Sequence, residues 1–260
     1  MLGTGIEFYL ILLLFAVPGI ALGFTVHEVC HALVATSYGD PTPRRQGRLS
    51  LNPANQIDPL GLAMLVLIGF GFARPVQYNP AYVRRGRQRA WLAFAGPFSN
   101  LLIAAALGVV IRLLIVLVPS VQNCYLPSFA LPPAGYLYWI LTEGFFVNVI
   151  LCVFNLIPIP PLDGYGVAEG LLRGQIPEVF SWIDMHRTWI YVVALLLFFV
   201  LPNLGSSGLS ISAPILGAAD WLWARLVVGP PPLALFPNIG YLISPSSASL
   251  ATALANPCLP

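Results

Sequence analysis

The stretch FYLILLLFAVPGIALGFTV, residues 8–26, contains nineteen successive residues without a charge. An α-helix rises about 1.5 Å per residue, so this stretch is long enough to cross a bilayer. The spacing predicts that the helix continues to about Tyr38, with a kink at Pro18 and an end at Gly39. The residues before it include no basic side chain and no small-residue cleavage site follows it, so we expect a membrane span rather than a signal peptide.

The composition of the whole chain also indicates a membrane protein. Of its 260 residues, 58% are hydrophobic and 8% are charged, and the mean hydropathy is +0.82. A soluble domain carries about 25% charged residues, and a disordered chain has low hydropathy, so both classes are excluded. The net charge of +2 is too small to indicate nucleic-acid binding, so we expect no nucleic-acid partner.

Further apolar runs predict about five to six transmembrane helices in an all-α polytopic membrane protein. These runs are residues 91–118, 136–159, 189–201 and 209–224. We expect a single transmembrane domain over residues 1–228, followed by an uncharged tail, residues 229–260, of unknown structure.

The basic residues predict the orientation of the chain. All 12 are arginines, and eight of them lie within residues 44–48 and 74–89. Basic residues in short loops mark the cytoplasmic side, so we place both stretches in the cytoplasm and the N-terminus outside the cell membrane. The apolar run at residues 59–73 lies between them and is short for a span. It must therefore enter and leave on one side, which predicts a re-entrant or β-like hairpin.

Two of the three histidines lie in His27-Glu28-Val29-Cys30-His31. Residues four apart share one face of a helix, so His27 and His31 can bind one metal ion while Glu28 lies beside it. Zinc suits imidazole and carboxylate ligands. A charged residue at the bilayer centre costs about 2.5–3.5 kcal/mol. A metal site explains that cost better than hydrogen-bonded polar residues in a helix do.

A catalytic zinc ion normally has three protein ligands, so a third ligand must come from elsewhere in the chain. Asp163 lies in the stretch NLIPIPPLDG, residues 155–164, where prolines break an apolar run. Irregular backbone at membrane depth must line a cavity or be buried in protein. Asp163 is therefore the stronger candidate for the third ligand. The alternative interpretation of Asp163 is a simple Asp-Gly turn at the end of a helix. His186 is an alternative ligand, although its polar surroundings are more typical of a solvated histidine.

These motifs, with four others, resemble the site-2 protease family of intramembrane zinc metalloproteases. The likeness is greatest to its compact bacterial and archaeal members, which lack a PDZ domain. GRLSLNP (47–53), IDPLG (57–61) and GFARPV (71–76) are similar to the family's segment between its first two core spans. AGPFSN (95–100) is similar to its Gly-Pro-x-x-Asn motif. The resemblance covers about residues 20–175 in the family's order.

The resemblance implies one Zn²⁺ per chain, bound by His27, His31 and Asp163. It implies that Glu28 is the general base that takes a proton from zinc-activated water. Asn100 matches the motif's asparagine and either orients substrate, stabilises the oxyanion or packs between helices. The chain departs from its close relatives at Gln56, where they tend to have histidine.

The resemblance thus implies an enzyme that hydrolyses peptide bonds in or near the transmembrane segments of single-span substrates in the lipid bilayer. Because a helix hides its carbonyls, the substrate must be unwound before attack. Two alternatives stay open: a zinc-containing membrane protein that binds transmembrane helices without cleaving them, and a metal-ion transporter. The presence of Glu28 disfavours the first, and the scarcity of ionisable groups in the outer halves of the spans disfavours the second. The sequence contains no signal for a particular oligomeric state.

Overall fold

The computed structural model describes residues 2–68, 71–123, 131–196 and 212–227. Ten α-helices lie within these residues. The first five are α1 (Leu2–Ser37), α2 (Thr42–Arg45), α3 (Pro53–Gln56), α4 (Pro59–Ile68) and α5 (Gly86–Leu117). The others are α6 (Pro133–Asn155), α7 (Asp163–Leu172), α8 (Pro177–Met185), α9 (Arg187–Leu195) and α10 (Ser212–Leu226), with a 3₁₀ helix at Pro119–Asn123. The described residues form no β-strand, so the prediction of an all-α chain is confirmed for them.

Three of these helices are long and apolar enough to cross a membrane. They are α1 over Leu10–Ser37, α5 and α6. Each coincides with most of an apolar run in the sequence, although α6 ends at Asn155, four residues before the end of the run at 136–159, where the prolines of 158–161 follow. The predicted runs at 189–201 and 209–224 are described only in part, as α9 and α10. The count of five to six spans therefore stays a prediction.

The end of α1 is fixed by a glycine and a buried carboxylate. Gly39 adopts a φ of 89°, which a side chain would disfavour. The buried Asp40 then accepts hydrogen bonds from the N–H of Thr42 (2.9 Å) and of Asn79 (2.6 Å). Burial by itself would raise the pKa of Asp40, but these donors outweigh burial and hold the pKa below its ordinary value. The helix therefore ends where the sequence predicted.

The region of the predicted hairpin contains a helix and a returning segment. Asp58 accepts hydrogen bonds from the N–H groups of Leu60 and Gly61 at the start of α4. A Cβ on Gly61 would lie 2.0 Å from the carbonyl oxygen of Phe72, so glycine permits a close return of the chain. An isolated antiparallel bridge joins Ile57 to Ala73. Residues 69–70 lie outside the described residues, and the membrane hairpin stays a prediction.

The described residues belong to two compact units. The first takes its described residues from 1–21, 102–150 and 216–260, and the second from 22–101 and 151–215. In the first unit Trp223 stacks on Phe146, with ring centroids 5.4 Å apart. The second unit contains every predicted site residue. The predicted tail, residues 229–260, lies outside the described residues.

Candidate metal centre

Helix α1 brings the two histidines of the motif together on one face. The Nε2 atoms of His27 and His31 lie 3.1 Å apart, and their rings meet edge to face. Both side chains are buried, as is that of Glu28. This is the arrangement that the i, i+4 spacing predicted.

Asp163 is the first residue of α7 and faces the imidazole pair. Its Oδ2 lies 3.0 Å from Nε2 of His27 and 3.3 Å from Nε2 of His31. The chain before α7 folds back tightly at Gly164, where a Cβ would lie 2.2 Å from the carbonyl oxygen of Leu156. The glycine of the Asp-Gly pair therefore allows the carboxylate to reach the histidines.

The hydrogen bonds around the histidines leave three electron-rich atoms facing one another. Nδ1 of His31 donates to the carbonyl oxygen of Leu92 (2.7 Å), and Nδ1 of His27 donates to Oδ1 of Asn100 (2.8 Å). In a neutral imidazole the opposite nitrogen, Nε2, then carries a lone pair. Oδ2 of Asp163 is buried and makes no hydrogen bond. Such a group of acceptors is repulsive by itself and is stabilised by a cation among them.

The distances and the donor atoms fit zinc. Nitrogen and oxygen ligands at about 2.0–2.2 Å from a tetrahedral Zn²⁺ lie about 3.4 Å apart, close to the observed 3.0, 3.1 and 3.3 Å. Within the part of the chain that the structure describes, these residues alone form a group of three or more His, Cys, Asp or Glu side chains placed to bind one metal ion.

Helix α5 supplies a glycine whose importance the sequence did not reveal. A Cβ on Gly96 would lie 2.3 Å from Nε2 of His31 and 2.6 Å from Nε2 of His27. Any larger residue at this position would occupy the space where the ligand atoms converge. Gly96 belongs to the AGPFSN motif quoted for the resemblance, and the motif was the signal that could have identified it.

Asn100, in the same motif, contacts the site through His27. It is fully buried, and its amide oxygen fixes which nitrogen of His27 faces Asp163. This contact places Asn100 where it can orient the imidazole of His27, which differs from the substrate and oxyanion roles considered from the sequence. Those two roles stay predictions.

The carboxylate of Glu28 is held by backbone. Its Oε2 accepts a hydrogen bond from the N–H of Val76, at 3.0 Å. Val76 ends the GFARPV stretch, so the segment returning from α4 reaches the side chain that the sequence predicted to be the general base. No signal in the sequence indicated a role for Val76.

Gln56, where close relatives tend to have histidine, forms hydrogen bonds with the segment at residues 48–50 and with the segment that follows residue 73. It is fully buried. Its side-chain amide donates to the backbone carbonyl oxygens of Arg48 (3.0 Å) and Ser50 (2.9 Å), and its backbone carbonyl oxygen accepts from the backbone N–H of Arg74 (2.7 Å). All the hydrogen bonds described for Gln56 hold these two segments together.

His186, the alternative third ligand, does not join the site. It lies between α8 and α9, stacks on Trp182 and donates to the carbonyl oxygen of that residue at 2.8 Å. Asp163 occupies the position next to the two histidines instead.

Known proteins with similar sequences are described by name as zinc metalloproteases. "Putative zinc metalloprotease YwhC" of Bacillus subtilis is 36% identical over 179 residues, which are 68% of this chain and 76% of the relative. "Putative zinc metalloprotease Rip2" of Mycolicibacterium smegmatis is 30% identical over 196 residues, 73% of this chain and 68% of the relative. "Putative zinc metalloprotease MJ0611" of Methanocaldococcus jannaschii is 27% identical over 167 residues. No family model matches the chain, and no solved structure matches it.

Proposed function

The chain belongs to the family of YwhC and Rip2, whose names describe them as zinc metalloproteases, and we propose that it is an intramembrane zinc metalloendopeptidase of the site-2 protease type. The observation that carries the proposal is the convergence of two imidazole nitrogens and one carboxylate oxygen within 3.3 Å. Glu28 is the next residue after one of these ligands. In a chain with several long apolar helices, this is the set of groups that a metal-dependent hydrolase requires.

In the proposed mechanism His27, His31 and Asp163 bind one Zn²⁺. A zinc ion bound there would act as a Lewis acid, lowering the pKa of a bound water and polarising a peptide carbonyl. Glu28 takes a proton from the attacking water and later gives a proton to the leaving amine. Asn100 and the carbonyl of Leu92 keep the histidine protons on Nδ1, so that Nε2 stays free for the metal.

The proposed substrates are single-span membrane proteins in the lipid bilayer. A spanning helix keeps its carbonyls in internal hydrogen bonds, so the scissile segment must first be unwound. The non-helical segment at residues 71–79 carries Val76, which contacts Glu28. We propose that an unwound substrate pairs with this segment edge to edge, which would bring its backbone close to the general base.

The proposed topology has five to six spans in the cell membrane, with the N-terminus outside. The arginine-rich stretches at 44–48 and 74–89 lie in the cytoplasm, and the segment at 59–73 forms a hairpin that enters from that side. The hydropathy of α1, α5 and α6 supports the spans, and the arginine distribution supports the orientation.

The proposal is tested by measuring zinc content and cleavage for the same purified samples. We expect Glu28→Gln to keep about one zinc ion per chain and to lose cleavage of a single-span substrate, because only proton transfer is removed. We expect Asp163→Asn to lose zinc as well as cleavage. Full cleavage by Glu28→Gln would refute the general-base role. Zinc binding by the wild type without cleavage of any single-span substrate would favour the non-catalytic alternative.

A further inference from the structure

The peptide unit that joins Pro75 to Val76 is hydrogen-bonded on both of its sides. Its carbonyl oxygen accepts from Nη2 of Arg48 at 3.3 Å, and its N–H donates to Oε2 of Glu28 at 3.0 Å. The C=O and N–H of a trans peptide point in opposite directions. One peptide unit is therefore held between a cation on one side and the Glu28 carboxylate on the other.

Arg48 is a buried cation with no ion pair among the described residues. Its side chain is 6% exposed. Nη1 donates to the carbonyl oxygen of Asn55 (2.7 Å) and to Oε1 of Gln56 (3.1 Å), both neutral acceptors. The Glu28 carboxylate attracts this guanidinium, and the Arg74 cation repels it. Burying a charge in this way is unfavourable unless its neighbours stabilise it, which calls for a specific role.

The surroundings hold both ends of this contact in place. The side chain of Gln56 accepts from the guanidinium of Arg48 and donates to the backbone carbonyl of Arg48. The backbone carbonyl of Gln56 accepts from the backbone N–H of Arg74. The bridge between Ile57 and Ala73 fixes the same segment one residue earlier. The orientation of the peptide unit after Pro75 is therefore determined by Arg48 and by the loop around Gln56.

We propose that Arg48 is a positioning residue for Glu28, acting through the peptide unit between Pro75 and Val76. The inference rests on the proposed function of Glu28 as a general base. A glutamate side chain has several rotamers, and a general base must be within hydrogen-bond reach of the proton it accepts. The N–H of Val76 anchors Oε2 and leaves Oε1 for the reacting water.

Substitutions at the two ends of the contact test this proposal. Val76→Pro removes the N–H, and Val76→Ala keeps it. Arg48→Met removes the donor to Pro75, Arg48→Lys restores one donor, and the exposed Arg45→Met serves as the matched control. For each zinc-loaded variant the measurements are kcat and KM for a single-span substrate, zinc per chain, and the calorimetric affinity of a peptide hydroxamate, whose acidic proton Glu28 accepts.

We expect kcat to fall on the order of 10- to 100-fold for Arg48→Met, and for Val76→Pro relative to Val76→Ala, because small displacements of a reacting group have effects of this size. We expect KM to stay within about twofold, zinc to stay at about one per chain, and hydroxamate affinity to fall with kcat. Arg48→Lys should recover part of kcat, and Arg45→Met should match the wild type.

The proposal is overturned if Arg48→Met keeps the wild-type kcat, or if it acts only by loss of zinc or by a rise in KM. Should Val76→Pro fail to fold, the Arg48→Met and Arg48→Lys pair decides by the same criteria. Failure of the proposed function gives a different result. In that case the wild type itself cleaves no substrate, and Glu28→Gln binds the hydroxamate as tightly as the wild type does.

Discussion

Three residues on one face of α5 determine the orientation of the two histidine rings and the open space between them. The carbonyl of Leu92 binds His31, the amide of Asn100 binds His27, and Gly96 leaves the space between them open. Leu92, Gly96 and Asn100 are spaced four apart, so they share one helix face. The candidate metal centre therefore depends on α5 as well as on the histidine motif of α1.

The requirement for glycine at position 96 gives the first prediction. Gly96→Ala places a methyl group where the Nε2 atoms converge, so we expect loss of bound zinc and of cleavage. Gly217→Ala is the matched control, because a Cβ there meets nothing within 4 Å. Zinc per chain is measured after dialysis by plasma mass spectrometry. A full complement of zinc in Gly96→Ala would show that the ion binds elsewhere.

The contact between Asn100 and His27 gives the second prediction. Outer partners of metal-bound histidines are worth about 10–100-fold in metal affinity, so Asn100→Ala should weaken zinc binding by that factor. Asn148→Ala removes another buried asparagine, one that bonds to the carbonyls of Gly19 and Gly144, and should leave the affinity unchanged. Competition with a chromophoric chelator measures both. Equal affinities for Asn100→Ala and the wild type would remove Asn100 from the site.

Helix α7 carries Asp163, and its position depends on close contact with α5. A Cβ on Gly170 would lie 2.5 Å from the carbonyl oxygen of Gly86, and a Cβ on Gly166 would lie 2.9 Å from Cβ of Ala93. Small residues at these positions let the two helix backbones approach each other. The distance between α5 and α7 thereby determines whether the carboxylate reaches the histidines.

The packing of α7 gives the third prediction. Gly170→Ala should push α7 away from α5, lower the free energy of unfolding by about 1–3 kcal/mol and reduce zinc binding. Gly174→Ala, four residues further on, is the control because a Cβ there meets nothing within 4 Å. Thermal unfolding in detergent and zinc content are compared for both. The packing account fails if the two variants behave alike.

Elements with a strong local signal could be predicted from the sequence, and contacts between distant elements could not. Apolar runs predicted α1, α5 and α6, and the i, i+4 spacing predicted the histidine pair. The approach of Asp163 to that pair depends on a turn at Gly164 and on packing between helices, so the broken stretch made Asp163 a candidate, and the family resemblance then implied that it is the third ligand. The roles of Arg48 and Val76 depend on one backbone peptide unit, which no side-chain pattern records.

At the scale of the whole chain, the described long helices expose apolar side chains, as membrane-spanning helices do. The described parts of α1 and α5 expose large apolar side chains, among them Leu14 (58%), Val116 (69%) and Leu117 (78%). Such exposure is typical of lipid-facing helices and unfavourable in water. The exposed arginines Arg44 and Arg45 lie in α2, the short helix that follows α1.

The proposed orientation gives the fourth prediction. In a chain whose four cysteines are replaced by serine, Arg45→Cys should react with a membrane-impermeant maleimide only after the cells are permeabilised. Ser120→Cys, between α5 and α6, should react in intact cells, because α5 begins beside the arginine-rich stretch at 74–89 and, as a span, would end on the opposite side of the membrane. Gel-shift labelling measures both. Labelling of Arg45→Cys in intact cells would show that the orientation is the reverse of the one proposed.

The central claim is that two imidazoles and one carboxylate bind a single zinc ion within this helical chain. Zinc-edge X-ray absorption of the purified protein tests it most directly. We predict one zinc ion per chain with two imidazole nitrogens and further oxygen ligands at about 2.0–2.2 Å, and loss of the ion in Asp163→Asn. A sulfur shell at about 2.3 Å, or an unchanged zinc environment in Asp163→Asn, would contradict the claim.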